Sequence, residues 1–481
     1  MSDKITRLRS RGARLLANTA IFSVGKMLSR LLVFFMIGIY TSCLTQAEYG
    51  TAELITSMAN LLIPLACVGI NEGIFRSAAA KEGDKEAFFT NGLLVYGVGS
   101  VAFLALSPLV GLIPVFAGSV WLIAAYVVVS NLHTVVAQYL CAIGRTKLFA
   151  GQGILNTALV IGFNILFLPV LDFGVTGYIL STILADLTTT LFLILFTRLW
   201  RAVKPKSISW ETVREMLRFS LPLVPTTICW WITGVSDRFM VEAMCSPELN
   251  GLYSVAYKIP NLLIYVISIF DSAWKLSVSS EEDGVEARTD FYTRVWRIYT
   301  TLAFLGGGAL ILTCRLFAGL LFAGDFVQAW VYIPILTYAT VFCALCTFLS
   351  SVYFASKKTM WSMITAIVGA ALNVTLNFLL IPKFQAFGAS VATFASYFVV
   401  CILRLITTHH LIPFKQEWLR GGVNTLLLGA LTVVVTLSES HIPSSLIAWG
   451  IAGGIFCVMV VFNLRAVIAL MKDGVRMIRR R

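Results

Sequence analysis

The chain has 481 residues, of which 58% are apolar and only 13% are charged, and its formal net charge is +13. Soluble domains carry roughly 25% charged and 45–50% apolar residues, so this composition excludes an ordinary soluble fold. Uncharged runs recur from end to end, each near the roughly 20 residues that cross a bilayer as a helix. We therefore predict an all-α integral membrane protein whose basic residues are orientation signals and not a nucleic-acid surface.

The apolar runs predict fourteen transmembrane helices joined by short loops. The predicted spans are 15–42, 47–73, 88–113, 119–143, 149–170, 175–198, 216–243, 248–274, 293–318, 328–355, 360–382, 387–411, 419–438 and 444–466. The predicted regions are a lead-in (1–14), a first six-helix half (15–198), a linker (199–215), a second six-helix half (216–411), two extra spans (412–466) and a basic tail (467–481). Lysine and arginine concentrate in alternate gaps, which predicts that the linker and both termini face the cytoplasm.

The first span contains two basic residues, Lys26 and Arg30, which lie four residues apart and so share a helix face. Arg30 lies about 22 Å into the predicted helix at about 1.5 Å per residue, so reaching the surface would strain its side chain. We favour a place for both residues in a polar cavity. The alternative is that both extend to the cytoplasmic surface.

The second and eighth spans each carry a stripe of polar residues at steps of three to four, which places each stripe on one helix face. The first stripe is Glu53, Ser57, Asn60, Pro64 and Asn71, and the second is Ser254, Lys258, Asn261, Tyr265, Ser268, Ser272 and Lys275. Such residues must point away from lipid, so we expect the two stripes to line a wet cavity. The alternative is a pair of helix–helix hydrogen-bonded seams.

Charged pairs also occur in the seventh span and at the ends of the second and eighth. Asp237 and Arg238 are adjacent, and either Asp237 positions a basic group while Arg238 binds a ligand, or the two form a structural ion pair. The other pairs are Glu72 with Arg76 and Asp271 with Lys275. These four are candidates for an inner gate, or they are ordinary helix-end charges.

The remaining polar and sulfur groups favour structural roles. His133 lies mid-span, and we favour a satisfied core histidine over a proton relay, with the same preference for Asp186. The Cys343-x-x-Cys346 spacing has no second pair beside it, so we interpret these thiols as small buried apolar groups. We predict no metal, no cofactor and no enzymatic activity.

The two predicted halves repeat each other. Asn164-x4-Pro169 followed by Phe173-Gly174 resembles Asn377-x4-Pro382 followed by Phe387-Gly388. Six spans separate the copies, so both halves begin on the same side of the membrane. That pattern is a parallel repeat, which is a transporter architecture.

Three segments together resemble the Wzx-type polysaccharide flippases of the multidrug/oligosaccharidyl-lipid/polysaccharide exporter superfamily. They are Ser236-Asp237-Arg238-Phe239, the stretch Asn250–Lys258 (NGLYSVAYK) and Glu48-Tyr49-Gly50. The resemblance covers essentially the whole chain. It implies a flippase that moves a polyprenyl-diphosphate-linked oligosaccharide from the inner to the outer leaflet by alternating access, with the lipid bilayer and other polysaccharide-assembly proteins as partners.

On this hypothesis, cationic side chains hold the diphosphate, because each charge-assisted hydrogen bond stabilises it by roughly 1.5–3 kcal/mol. The predicted substrate-binding residues are Lys26, Arg30, Glu53, Asn60, Asp237, Arg238, Lys258, Asn261 and Tyr265. The alternatives are a cation-coupled drug or metabolite exporter of the same superfamily, which would require acidic cavity residues, and a lipid II flippase.

Overall fold

The computed structural model is helical throughout the part of the chain that it describes, with no strand among those residues. The described residues are 32, 34–79, 84–279, 285–356, 358–438, 445–464, 466 and 468, and their side chains are described except at 269–279, 285–288, 354, 355, 359, 445 and 446. The predicted all-α class is confirmed. Within these ranges, eight helices are long and apolar enough to cross a membrane, or nine when one bent pair counts as a single span.

The chain divides into two compact units, Met1–Trp231 and Ile232–Arg481. The first unit contains α1 Ile37–Cys43, α2 Gln46–Ala66, α3 Ile70–Ala79, α4 Lys85–Leu106, α5 Val120–Ala142, α6 Thr146–Ile165, α7 Gly174–Thr197 and α8 Trp210–Ser220. The boundary falls inside α9, Leu223–Met244. The second unit continues with α10 Pro247–Ala256, α11 Lys258–Ser279, α12 Val285–Leu312, α13 Cys314–Leu321, α14 Ile333–Ala355, α15 Thr359–His409, α16 Trp418–Leu437 and α17 Ser445–Phe462.

The helices of the described residues correspond to the predicted spans from 47–73 onward once broken and bent helices are taken into account. Most of the predicted first span, 15–42, lies outside the described residues, so the count of fourteen remains a prediction. The long helix α15 is interrupted at Gln385, whose φ of 51° is not helical, and its two arms match the spans 360–382 and 387–411. The pairs α2–α3, α10–α11 and α12–α13 each match one predicted span. The division into two six-helix halves, a linker and two extra spans remains a prediction.

The second span is bent and not straight. Pro64 lies in the last turn of α2, and Val68 and Gly69 both adopt positive φ, at 51° and 63°. Proline removes a backbone donor, and positive φ ends the right-handed helix. The two helices α2 and α3 therefore meet at a bend of 57°.

An amphipathic helix, α8, occupies the end of the predicted linker, and the seventh span begins at Leu223 instead of 216. Val213, Met216 and Ser220 are its buried residues, spaced by three to four, and α8 packs against α3 and α4. A β-carbon added at Gly73 of α3 would lie 2.8 Å from the Ser220 Oγ, so the missing side chain permits the close approach. The high charge of α8 made this segment resemble a loop.

Candidate functional site

The hairpin between α9 and α10 is closed by local hydrogen bonds. Ser246 is the N-cap of α10, and its hydroxyl accepts the backbone N–H of Leu249 at 3.2 Å. Pro247 fills the first helical position, where its missing N–H has no cost. The Asn250 side-chain amide donates to the Glu242 carboxylate at 3.1 Å, which joins the end of α9 to α10.

Asp237 of α9 is fully buried and surrounded by hydroxyl groups. Its Oδ2 accepts hydrogen bonds from the hydroxyls of Tyr253 at 2.8 Å, Tyr257 at 2.7 Å and Thr393 at 3.1 Å. Its Oδ1 accepts the backbone N–H of Arg238 at 2.9 Å. No charged side chain among the described residues donates to this carboxylate. Its acceptor capacity is therefore used by neutral groups that join α9, α10 and the second arm of α15.

Arg238 lies beside the same tyrosine. Its guanidinium carbon is 4.7 Å from the centroid of the Tyr257 ring, a cation–π contact. The Tyr257 hydroxyl thus donates a hydrogen bond to Asp237, and the face of its ring contacts Arg238. It also separates α10 from α11, which begins at Lys258. The structure brings Asp237 and Arg238 into contact with the residue that immediately precedes Lys258.

Two further predicted residues follow Lys258 along α11. Asn261 and Tyr265 are three and seven residues beyond it, which places all three on one helix face. Each of the three is partly buried. Asp271 and Lys275 also belong to α11, but their side chains lie outside the described residues.

In the first unit, Glu53 occupies an aromatic pocket. It is 5% exposed and accepts a hydrogen bond from the Tyr178 hydroxyl at 2.9 Å. The ring of Tyr40 packs edge-on against that of Tyr178, with centroids 4.8 Å apart. The predicted neighbours Lys26 and Arg30 lie outside the described residues. The structure therefore gives Glu53 a tyrosine donor and leaves its predicted role as a substrate group open to experiment.

The predicted polar stripe of the second span does not follow one continuous face. Asn60 of α2 is exposed, whereas Asn71, beyond the bend, is buried. The Asn71 side-chain amide donates to Asn131 of α5 at 3.3 Å, and Asn131 donates in turn to the Cys67 sulfur at 2.8 Å. The 57° bend separates Asn60 from Asn71, and the part beyond the bend forms a hydrogen-bonded seam with α5.

The predicted gate residues of the first unit, Glu72 and Arg76, are both exposed on α3. The Arg76 guanidinium carbon lies 4.2 Å above the ring centroid of Phe219 in α8. Arg76 thereby helps to hold α8 against α3. A gating role for either residue remains a prediction.

His133 and Asp186 are paired in the core of the first unit. The His133 Nδ1 is 3.3 Å from an Asp186 oxygen, and its Nε2 is 2.8 Å from the Gln152 side-chain oxygen. Asn156 donates to the same Asp186 oxygen at 2.7 Å, and the Ser130 hydroxyl donates to the other. Both ring nitrogens have partners, as expected for a satisfied core histidine, and the cluster joins α5, α6 and α7.

The hydroxyl groups around Asp237 were not predicted from the sequence. Tyr253 and Tyr257 are four residues apart, so the sequence could have indicated that their side chains point in the same direction. Thr393 carried no such signal, because it is 156 residues away from Asp237 in the chain.

Comparisons with known proteins agree on the fold. Residues 15–274, just over half of the chain, match the family model described as "Polysaccharide biosynthesis protein". No curated protein sequence matches the chain significantly. Among solved structures, the lipid II flippase MurJ in an inward closed conformation is similar, with a TM-score of 0.70 and 13% identity over 95% of this chain and 100% of that one.

Two other similar structures come from the MOP superfamily. An inward-facing multidrug resistance MATE family transporter has a TM-score of 0.67 and 16% identity over 81% of this chain and 98% of its own. A MOP superfamily transporter from Pyrococcus furiosus has a TM-score of 0.62 and 16% identity over 82% of this chain and 95% of its own. The chain belongs to the polysaccharide biosynthesis protein family, and it has the fold of the MOP-superfamily membrane transporters.

Proposed function

We propose that this protein is a Wzx-type flippase, which moves a polyprenyl-diphosphate-linked oligosaccharide from the inner to the outer leaflet of the cytoplasmic membrane. The observation that carries the proposal is the arrangement at Tyr257. Asp237 accepts only neutral side-chain donors among the described residues, while Arg238 stacks on the tyrosine ring and Lys258 follows it. This part of the second unit therefore brings two cationic side chains, Arg238 and Lys258, to one tyrosine.

Taking a diphosphate out of water has a large free-energy cost. An isolated anion in an apolar medium is strongly disfavoured unless cations and hydrogen-bond donors replace its hydration. A guanidinium offers a planar pair of donors that matches phosphate oxygens, and an ammonium supplies a compact charge. Arg238 and Lys258 would hold the diphosphate, and Asn261 and Tyr265, on the same face of α11 as Lys258, would contact the sugars.

The charge of the site also bears on the alternatives. The Pyrococcus furiosus transporter is described as having a binding pocket of reverse polarity that suggests a different function. By the same reasoning, a site that gathers Arg238 and Lys258 favours an anionic substrate over the cationic drugs of an exporter. A lipid II flippase would share the diphosphate chemistry and differ in the glycan.

The test is lipid flipping by the purified full chain in proteoliposomes. A fluorescent polyprenyl-diphosphate oligosaccharide is scored by the fraction that an external quencher reaches over time. We expect Arg238→Gln and Lys258→Gln each to reduce the flipping rate at least 10-fold while insertion stays normal. Lys383→Gln is the matched control, because Lys383 is an exposed cation of α15 that is not among the predicted substrate-binding residues.

Three outcomes would contradict the proposal. A double Arg238→Gln, Lys258→Gln variant with the wild-type flipping rate would remove the assigned residues. Efflux of cationic dyes without flipping would identify an exporter. Faster flipping of lipid II than of an oligosaccharide lipid would favour the peptidoglycan precursor.

A further inference from the structure

A basic cavity lies at one end of the first unit, and none of the predicted substrate-binding residues lines it. Its volume is about 280 Å³, near the lower end of the roughly 300–1,000 Å³ that small-molecule pockets occupy. It is formed where α4 begins, where α5 and α7 end, and where the chain leaves α7. Its charged lining residues are Glu86, Arg145, Arg198 and Arg201.

The wall that contains Arg198 and Arg201 is a fixed part of the fold. Two buried residues of α4, Thr90 and Asn91, hydrogen-bond to the backbone of the segment 202–209. Thr90 accepts the N–H of Lys204 at 2.9 Å, and Asn91 donates to the carbonyl of Ser207 at 2.9 Å. The segment that forms this wall is therefore held in place by side chains of α4.

The charge balance of the cavity is strongly positive. Its carboxylate, Glu86, forms an ion pair with Lys204. The hydrogen bond and the charge of Glu86 raise the pKa of Lys204, so this lysine stays protonated and remains paired with the Glu86 carboxylate. Arg145, Arg198 and Arg201 make no ion pair with any described residue. Three guanidinium groups thus line one small cavity whose carboxylate, Glu86, is already paired with Lys204.

Exposed apolar side chains in the chain segment around the cavity wall indicate the level of the membrane interface. Trp200 is 50% exposed, Ile208 is 50% exposed and Trp210 is 75% exposed, all on the segment that forms the cavity wall or directly after it. Tryptophan is enriched where hydrocarbon meets headgroups. Arginines at this depth meet the phosphates of the lipids and not only bulk water.

We infer that this cavity binds the phosphate of an anionic phospholipid, which the three arginines hold while its acyl chains lie along the neighbouring apolar residues. Arginine recognises phosphate through two parallel hydrogen bonds, so three of them give more selectivity than diffuse charge. A free phosphate ion would find the same guanidinium groups but would gain nothing from Trp200, Ile208 and Trp210. The site does not depend on what the protein transports.

The test is the unfolding temperature of the purified full chain in neutral detergent, because a ligand that binds only the folded state raises it. Phosphatidylglycerol, phosphatidylcholine and inorganic phosphate are titrated separately. We expect only phosphatidylglycerol to raise the unfolding temperature of the wild type. The triple variant Arg145→Ala, Arg198→Ala, Arg201→Ala should require at least 10-fold more of this lipid for the same shift.

The matched control is the triple variant Lys206→Ala, Arg214→Ala, Arg218→Ala. It removes three exposed cations from the same region, none of which lines the cavity. It should respond to phosphatidylglycerol as the wild type does. An equal loss in both triple variants would replace the site by general charge attraction, and a full shift with inorganic phosphate would replace the lipid by a free ion.

A second variant keeps the inference testable if the arginine triple variant does not fold. Glu86→Gln retains every cation and removes the negative charge from the cavity lining. We expect it to bind phosphatidylglycerol at least threefold more tightly. Unchanged or weaker binding by Glu86→Gln would overturn the assignment.

Discussion

Replacing Tyr257 with phenylalanine removes one hydroxyl and keeps the ring. The lost group donates to Asp237 at 2.7 Å in a fully buried setting, and a hydrogen bond to a charged group contributes roughly 1.5–3 kcal/mol. The ring remains available to Arg238, whose guanidinium carbon lies 4.7 Å from its centroid. We therefore expect Tyr257→Phe to lower the free energy of unfolding by about 2 kcal/mol and to leave transport close to wild type.

Tyr257→Leu removes the ring as well as the hydroxyl. A partly desolvated cation–π contact adds roughly 1–2 kcal/mol to the expected loss, and Arg238 loses the surface that orients it. Transport should then fall at least 10-fold. Tyr253→Phe is the matched control, because its hydroxyl also donates to Asp237, at 2.8 Å, while its ring is not the one that carries Arg238.

Two measurements separate these contributions. Reversible unfolding in mixed micelles gives the stability of each variant, and the flipping rate in proteoliposomes gives its activity. Wild-type stability in Tyr257→Phe would refute the view that the Asp237 carboxylate is held by hydroxyl groups. Loss of flipping in Tyr257→Phe as large as in Tyr257→Leu would refute the separate role of the ring.

Two further predictions concern a buried cluster and an ion-pair network. His133→Gln and Asp186→Asn each break the contact between His133 and Asp186, and each should lower the free energy of unfolding by about 3 kcal/mol. The double variant should lose much less than the sum of the two losses. Additive losses would argue against a shared cluster. Burial alone would raise the pKa of Glu417, but hydrogen bonds from Arg297 and Arg420 lower it overall. Its stabilising effect should be complete above the ordinary value of 4.5 and be lost as the pH falls through the lowered pKa, so that Glu417→Gln unfolds with a flatter dependence on acid pH.

The helical spans could be predicted because long apolar runs have few folded alternatives in a membrane. The breaks within them were less readable. Proline at position 64 signalled a disturbance, but the positive φ of Val68 depends on packing, since valine disfavours that conformation. The helix α8 escaped prediction because its charged face outweighed Val213 and Met216.

The candidate site could be predicted only in part, because its contacts also depend on packing. Charges at membrane depth drew attention to Asp237, Arg238 and Lys258, since such residues are rare there. Their different roles depend on which side chains each of them contacts in the folded protein. Nothing in the sequence states that Asp237 is enclosed by tyrosine and threonine hydroxyls while Arg238 rests on a ring face, because those contacts form only when α9, α10 and α15 pack together.

The hydrogen bonds from Thr90 and Asn91 to the segment 202–209 have a practical consequence for protein engineering. A polar stretch between two apolar helices is where an epitope tag or a protease cleavage site is normally inserted, because loops tolerate extra residues. Here the backbone is bound, through Lys204 N–H, Ser207 C=O and Ser209 N–H, to side chains of α4. An inserted tag would have to break these hydrogen bonds, so topology reporters placed in this segment should lower expression, and trypsin should cut slowly after Lys206.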